Sequence, residues 1–239
     1  MGQPVQQPDD IEPTERSPFV RLTLLRDILI CPRRAYDAIL ATCSWLPAYA
    51  IVVACGFIDL ALSTPALTHV LALAARHDPS SALRGGGTAA ARKDLFLNSA
   101  LFGFLQPVVQ WSLAAIAAAL VARFRRLTVG YRTFFALAAV CSLPGALGAL
   151  IDGIAVWLRP PASYASLKAL AVAAPDNLAV FASPHNDREV VFLASFGLFD
   201  VWSTVLFAYG LVAFTKMRVT TALGIAFGIA IIVALIFAP

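Results

Sequence analysis

The stretch LFDVWSTVLFAYG, residues 198–210, is an apolar run that carries one acid, Asp200, close to its start. The chain repeats this arrangement with Asp59 in CGFIDLAL and with Asp152 in GALIDGIAV. An aspartate at the centre of a bilayer costs about 2.5–3.5 kcal/mol, while each Leu, Ile, Phe or Val returns roughly 0.3–0.6 kcal/mol. A run with about a dozen such residues can therefore carry one acid and still insert. The stretch predicts a membrane helix.

The composition of the whole chain supports the same class. Hydrophobic residues make up 59% of the chain and charged residues 13%, whereas soluble domains are about 45–50% apolar and about 25% charged. Five apolar runs are long enough to span a bilayer. They cover about residues 45–64, 95–121, 133–158, 190–214 and 219–238. We therefore predict an all-α fold, a polytopic helical bundle with five transmembrane helices within residues 45–239.

Two segments precede the first predicted span. Residues 1–18 are polar and proline-rich and lack the apolar stretch of a signal peptide, which favours a disordered cytoplasmic tail. Residues 19–44 alternate basic and apolar side chains, and Pro32 stands where a short helix would begin. We favour an amphipathic juxtamembrane helix lying at the interface over a linker whose arginines only set orientation.

Basic residues near the span ends predict the orientation. Eleven of the 18 basic residues fall on the side that holds the N-terminus and the loops 122–132 and 215–218. The other seven are spread over two longer loops. This places the N-terminus in the cytoplasm and the C-terminus in the periplasm or outside the cell, in a cytoplasmic (inner) membrane. The basic residues predicted at the membrane surface are Arg26, Arg33, Arg34, Arg123, Arg125 and Arg126. Their short clusters form no continuous basic face, which argues against nucleic acid as a partner.

Small residues at four-residue spacing mark possible helix-packing faces. The third span carries Gly145 and Gly153, and the fifth carries Gly224 and Gly228 in a G-x-x-x-G pattern. Such residues let helix backbones approach closely. These faces could serve contacts within the bundle or contacts with a partner chain. Pro65 is expected to end or bend the first span.

The acids within the spans need polar surroundings. No Lys or Arg lies within a span at comparable depth, so the acids must be protonated, hydrogen-bonded or hydrated. Gln106 and Gln110 share one face of the second span, and Gln106 lies at a depth close to that of Asp200. We predict a hydrogen bond between Asp200 and Gln106, within an intramembrane polar cluster that includes Asp59, Asp152 and Gln110. Asp200→Asn should be tolerated and Asp200→Leu should not.

No motif of a catalytic, metal or cofactor site is evident. The histidines have no ligand spacing, the four cysteines form no C-x-x-C pair, and neither H-E-x-x-H nor G-x-S-x-G occurs. We therefore predict a protein that is not an enzyme and binds no metal or cofactor. No small-molecule substrate is evident.

The order of the motifs resembles the Yip1 family of polytopic membrane proteins. A proline-containing block, RDILICPRRAYDAIL, precedes the first span, and a glycine–aromatic turn opens the third span, which has a proline inside it. The block LFDVWSTVLFAYG then follows on the fourth span. The residues that carry the resemblance are Pro32, Gly130, Tyr131, Pro144, Asp200, Trp202 and Gly210. The resemblance covers about residues 24–236.

The resemblance implies a non-enzymatic integral membrane adaptor or organising protein. Its partners would be the lipid bilayer and other integral membrane proteins, or further copies of the chain. The excess of arginine over lysine, 15 to 3, and the many alanines indicate a bacterial member, so a role with prenylated small GTPases is not carried over. The alternative is a small transporter or accessory permease subunit that uses Asp59, Asp152 and Asp200 as a proton or cation site.

Overall fold

The described part of the chain is all-helical, as predicted. The computed structural model describes residues 26–77, 88–173, 177–182, 187–194 and 196–237. Within these ranges the one strand-like feature is an isolated bridge between Asn177 and Gly197. The tail predicted at residues 1–18 lies outside the described residues, as does the first part of the segment 19–44.

Nine α-helices follow one another in the described residues. They are α1 (Pro32–Thr42), α2 (Leu46–His77), α3 (Thr88–Phe124), α4 (Tyr131–Cys141), α5 (Leu143–Trp157), α6 (Leu167–Ala171), α7 (Asp187–Ala194), α8 (Leu198–Thr215) and α9 (Val219–Phe237). Residues 26–30 are also helical. Short 3-10 turns occupy Pro161–Ser163 and Leu178–Phe181.

Among the described residues, four helical segments are long and apolar enough to cross a membrane. They are Leu46–Leu73, Gly103–Phe124, Tyr131–Trp157 and Leu198–Thr215. A shorter apolar segment, Val219–Leu235, lies within α9. By length and composition, the described chain thus supports four of the five predicted spans, with a shorter apolar helix in place of the fifth.

The predicted end of the first span near residue 64 is wrong. Helix α2 continues through Pro65 without interruption for 32 residues. A proline inside a helix removes one hydrogen bond and disturbs the preceding turn. Tertiary contacts oppose this effect, because Ala66 and Val70 pack with Val156 and Tyr164 in a small buried cluster. Packing therefore outweighs the local preference.

The third span consists of two helices, which together form one candidate membrane segment, Tyr131–Trp157. Helix α4 ends at Cys141, and α5 begins at Leu143 with Pro144 in its first turn. A proline is favourable there, because the first-turn N–H groups of a helix have no partner within the helix. The Ser142 hydroxyl donates to the carbonyl oxygen of Ala139 at 2.8 Å. Pro144 therefore stands at the break that divides this span.

The predicted fourth span, residues 190–214, is wrong in its first third. Residues up to Ala194 belong to the separate helix α7, and α8 begins only at Leu198. Gly197 is extended, and its N–H donates to Asp200 Oδ2 at 3.1 Å. A carboxylate in the first turn stabilises a helix start by capping and by its interaction with the helix dipole. Asp200 thus belongs to a first turn and does not lie ten residues inside a continuous helix.

Helix α4 lies at the centre of the bundle. Every residue from Phe134 to Cys141 is buried. On one side, Trp45 and Trp111 each contact the ring of Phe135 edge-on. Helices α1, α2, α3, α5 and α8 pack around this helix.

Helix α1 is amphipathic and is attached to the bundle along one face. Its buried residues are Ala35, Tyr36 and Ile39, while Arg33 and Arg34 are exposed. The Tyr36 hydroxyl donates to the carbonyl oxygen of Leu206 on α8 at 2.7 Å, in a buried position. This face therefore contacts the protein, and the arginines remain on the outer surface.

The predicted glycine faces differ in how the fold uses them. A Cβ added at Gly153 would lie 2.8 Å from the Asp59 Cα, so α5 and α2 touch backbone to backbone there. A Cβ at Gly145 would lie 3.3 Å from Asp200 Oδ1. The third-span glycines therefore serve contacts within the bundle.

The fifth-span glycines make no such contact. A Cβ added at Gly224 or at Gly228 would meet nothing within 4 Å. The neighbouring stripe on α9, with Ala222, Ala226 and Ala234, is buried instead. The alanine face of α9 therefore points into the bundle, and its glycine face is open.

Candidate functional site: a polar cavity between the helices

A cavity of about 690 Å³ lies between the spans and is bounded by α2, α3, α5, α8, α9 and the end of α4. Much of its wall is apolar. Its polar lining consists of Asp59, Gln106, Gln110, Cys141, Ser142, Asp200, Ser203 and Thr204. Four of the five members predicted for the intramembrane polar cluster thus face one space. No Lys, Arg or His is present among the described residues that line it.

Asp59 is held at the contact between α2 and α5. The hydroxyl of Ser63, one turn further along α2, donates to Asp59 Oδ1 at 3.0 Å. Gly153 faces the Asp59 backbone, and any side chain at that position would collide with it. The carboxylate is half-buried. The Asp59 carboxylate is therefore held by the Ser63 hydroxyl of its own helix on one side and faces Gly153 of α5 on the other.

Asp200 is fixed at the start of α8 by a different set of contacts. One carboxylate oxygen accepts from Gly197 N–H, and the other lies beside Gly145. The Gly145 N–H donates to Ser203 Oγ at 3.0 Å, which joins α5 to α8 one turn below the acid. Gln106 lines the same cavity as Asp200. The predicted hydrogen bond between these two side chains stays a prediction.

The two acids stand at different heights in the cavity. Asp59 faces Gly153 and Asp200 faces Gly145, two positions on the same helix. Eight residues of α-helix rise roughly 12 Å. The carboxylates therefore form no close pair that shares one proton, and each offers a separate negative or hydrogen-bonding point.

Asp152 does not belong to this group. It is half-buried on α5, beside Gly153, and does not line the cavity. Asp152 was predicted in the cluster because it is an acid within an apolar run, a pattern that does not show which way a side chain faces. The hydroxyls of Ser142, Ser203 and Thr204 were not predicted, although Ser203 and Thr204 lie inside the stretch 198–210 that also contains Asp200.

Four residues of the family-like motif, Pro32, Gly130, Tyr131 and Pro144, stand at helix starts. Pro32 begins α1, Gly130 precedes α4 in an extended conformation, and Pro144 lies in the first turn of α5. The Tyr131 hydroxyl donates to Ser112 Oγ at 3.2 Å, and Trp202 stacks on Phe199. These five positions start or pack helices and do not line the cavity, whereas Asp200 of the same motif does.

The predicted surface arginines are all exposed in the structure. The residues in question are Arg26, Arg33, Arg34, Arg123, Arg125 and Arg126. The end of α1 and the start of α4 meet where Cys43 Sγ lies 3.5 Å from Thr133 Oγ1. This contact places α1 at the same end of the bundle as the loop between α3 and α4. The basic side chains therefore gather at one end.

The chemistry that the cavity can support is limited by its donors. In the ranges that the structure describes, no group of three His, Cys, Asp or Glu side chains could hold a metal ion. The two separated carboxylates, with amides and hydroxyls between them, suit a cation, a proton or a hydrogen-bond donor.

Comparison with known proteins gives no relative from which to transfer a function. No family model, no curated protein and no solved structure matches the chain. The resemblance to the Yip1 family therefore stays a prediction that the order of the motifs supports.

Proposed function

We propose that the chain is a non-enzymatic integral membrane adaptor or organising protein of the Yip1 type. It acts through contacts with other membrane helices in a bacterial cytoplasmic membrane, with its N-terminus in the cytoplasm. The order of the motifs along the sequence supports the family. The open glycine face of α9 supports contact with a partner helix.

The geometry of α9 carries this proposal. Gly224, Gly228, Ile231 and Leu235 follow one another at helical spacing, so they share a face. Ile231 and Leu235 are exposed, and a Cβ at either glycine would meet nothing. A G-x-x-x-G face in a membrane lets two helix backbones approach closely. We infer that the backbone that approaches this face of α9 belongs to a helix of another chain.

The test compares glycines that are equally open within the chain. In native membranes, the wild-type chain should cross-link to its partner, which is identified by mass spectrometry after mild-detergent purification. The double variant Gly224→Leu/Gly228→Leu should abolish this cross-link. Gly103→Leu is the control, because a Cβ there also meets nothing within 4 Å. Differently tagged copies, expressed together, tell self-association from a different partner. Equal cross-linking of wild type and the double variant would overturn the proposal.

A second candidate function, a small transporter or permease subunit, is favoured by the cavity. Two carboxylates and no basic group among the described lining residues would attract a cation or a proton. Purified chain in proteoliposomes should then pass protons or a monovalent cation. Asp59→Asn and Asp200→Asn should abolish this flux, and Asp152→Asn should keep it, because Asp152 lies outside the cavity. If the wild-type chain passes neither protons nor cations, the transporter function is excluded and the adaptor function remains.

A further inference from the structure

A second cleft, of about 620 Å³, lies between α1 and the last turns of α8. It shares no lining residue with the central cavity. Its walls include Arg33 and Asp37 of α1, Tyr209 and Ala213 of α8, and Lys216 directly after α8. Because Leu198–Thr215 is a candidate membrane span, the cleft lies at the level where a span leaves the bilayer.

The cations of this cleft come from two separate elements. In the described ranges the ion pair within 4 Å joins Arg26 to Asp27, and neither Arg33 nor Lys216 is paired with a described carboxylate. Both side chains are exposed. The wall also includes one acid, Asp37, one turn along α1 from Arg33. The cleft therefore carries a net charge of plus one. Neither of its two cations has a described carboxylate within 4 Å.

The backbone on each side of the cleft is fixed. Tyr36 is 4% exposed and donates its hydroxyl to Leu206 of α8. Burial raises the pKa of the Tyr36 phenol well above its usual range, so this donor stays neutral. Lys216 caps α8 in the left-handed conformation, with φ 54°, and its N–H donates to Val212 at 2.9 Å. The two cations therefore project from rigid positions.

We propose that this cleft binds the phosphodiester headgroup of an anionic phospholipid, with Arg33 and Lys216 contacting the phosphate. Basic pockets between membrane helices at their ends suit anionic headgroups. Below the cations, Tyr209 is half-exposed on the face of α8 that lines the cleft. An acyl chain can lie along this apolar wall while the phosphate stays at the surface. The site is independent of the open face of α9.

Native mass spectrometry of the full chain in neutral detergent tests the site. The wild type should bind phosphatidylglycerol more tightly than phosphatidylcholine. Arg33→Gln/Lys216→Gln should weaken the binding of phosphatidylglycerol about 25-fold, which is roughly fivefold for each cation removed. The matched control is Arg34→Gln/Arg218→Gln, which removes the same charge outside the cleft and should change affinity less than about twofold. Equal losses in both variants, or no preference in the wild type, would overturn the proposal.

Two further variants keep the test decisive if the double variant does not fold. Asp37→Asn should strengthen phosphatidylglycerol binding several-fold, because it removes the one negative charge of the cleft. Ala213→Leu should weaken binding without any change of charge, because it fills the space. If neither variant changes the affinity, the site is wrong. Displacement of the lipid by millimolar glycerol phosphate would assign the cleft to a soluble phosphate and overturn the lipid assignment.

Discussion

The first and third spans are almost equally apolar, yet the fold treats them in opposite ways. In the most apolar 18 residues of Leu46–Leu73, 6% are buried, whereas 67% are buried in Tyr131–Trp157. Lipid tails and protein interiors are similarly apolar, so hydrophobicity drives insertion but does not choose which helix becomes the centre. Apolar content therefore predicts that a helix spans and says little about where it packs.

Side-chain size separates the two spans. The third span carries Ala136, Ala139 and Gly148 at buried positions, whereas the first exposes Phe57 and Ile58. Small residues bring neighbouring backbones close, and this gives dispersion contacts that lipid does not match. The comparison predicts that changes in the third span disturb folding and equivalent changes in the first do not.

The largest difference is expected for a glycine pair. Gly153→Leu should lower the free energy of unfolding by about 3 kcal/mol or prevent folding, because its Cβ already collides with the Asp59 backbone. Gly56→Leu, on the first span, should have little effect, since a Cβ there meets nothing within 4 Å. Unfolding in mixed detergent with increasing dodecyl sulfate measures both. If the two variants are equally stable, the close contact between α2 and α5 is wrong.

A cavity-creating pair should give a smaller difference. Leu137→Ala removes a fully buried side chain that packs against Gly210, and Ile58→Ala removes one that is 47% exposed. In a bilayer the transfer of apolar groups from water contributes little, so only lost packing remains. We expect about 2 kcal/mol for Leu137→Ala and under about 0.5 kcal/mol for Ile58→Ala. A larger loss for Ile58→Ala would show that the first span is covered by protein.

The prolines should give the smallest effects, with opposite signs. Pro144→Ala should lower the free energy of unfolding by about 0.5–1 kcal/mol, because proline is pre-organised for a first turn. Pro65→Ala should leave it unchanged or raise it slightly, since Pro65 lies inside α2 and lacks one helical hydrogen bond. The same unfolding measurement compares them. A marked loss at Pro65→Ala would make that proline a required bend.

Four of the five spans and the basic end of the bundle could be predicted from the sequence, because both follow from local composition. The start of α8 could not be predicted in this way, because residues 190–199 are mostly apolar and hydropathy does not register the extended backbone at Gly197 before α8. The pattern of Gly197 followed by Asp200 three residues later was the available signal, since acids favour first turns. Hydropathy hid it.

The cavity was only partly predictable for a similar reason. Gln106 and Gln110 share a helix face by spacing alone, and both line the cavity. The position of Asp152 depends on how α5 is rotated against α2, which a single sequence does not encode locally. The same holds for α9, where alanine and glycine stripes are equally good packing faces and only the bundle selects one.

The length of α2 has a mechanical consequence. Its 32 residues extend about 48 Å, while the hydrocarbon core is about 30 Å thick. The end of the helix therefore projects by about 18 Å, and Ala66 and Val70 clamp it to Tyr164. By geometry, a tilt of about 10° in the span would swing this tip by about 3 Å, and the segment that packs on Ala66 and Val70 would move with it.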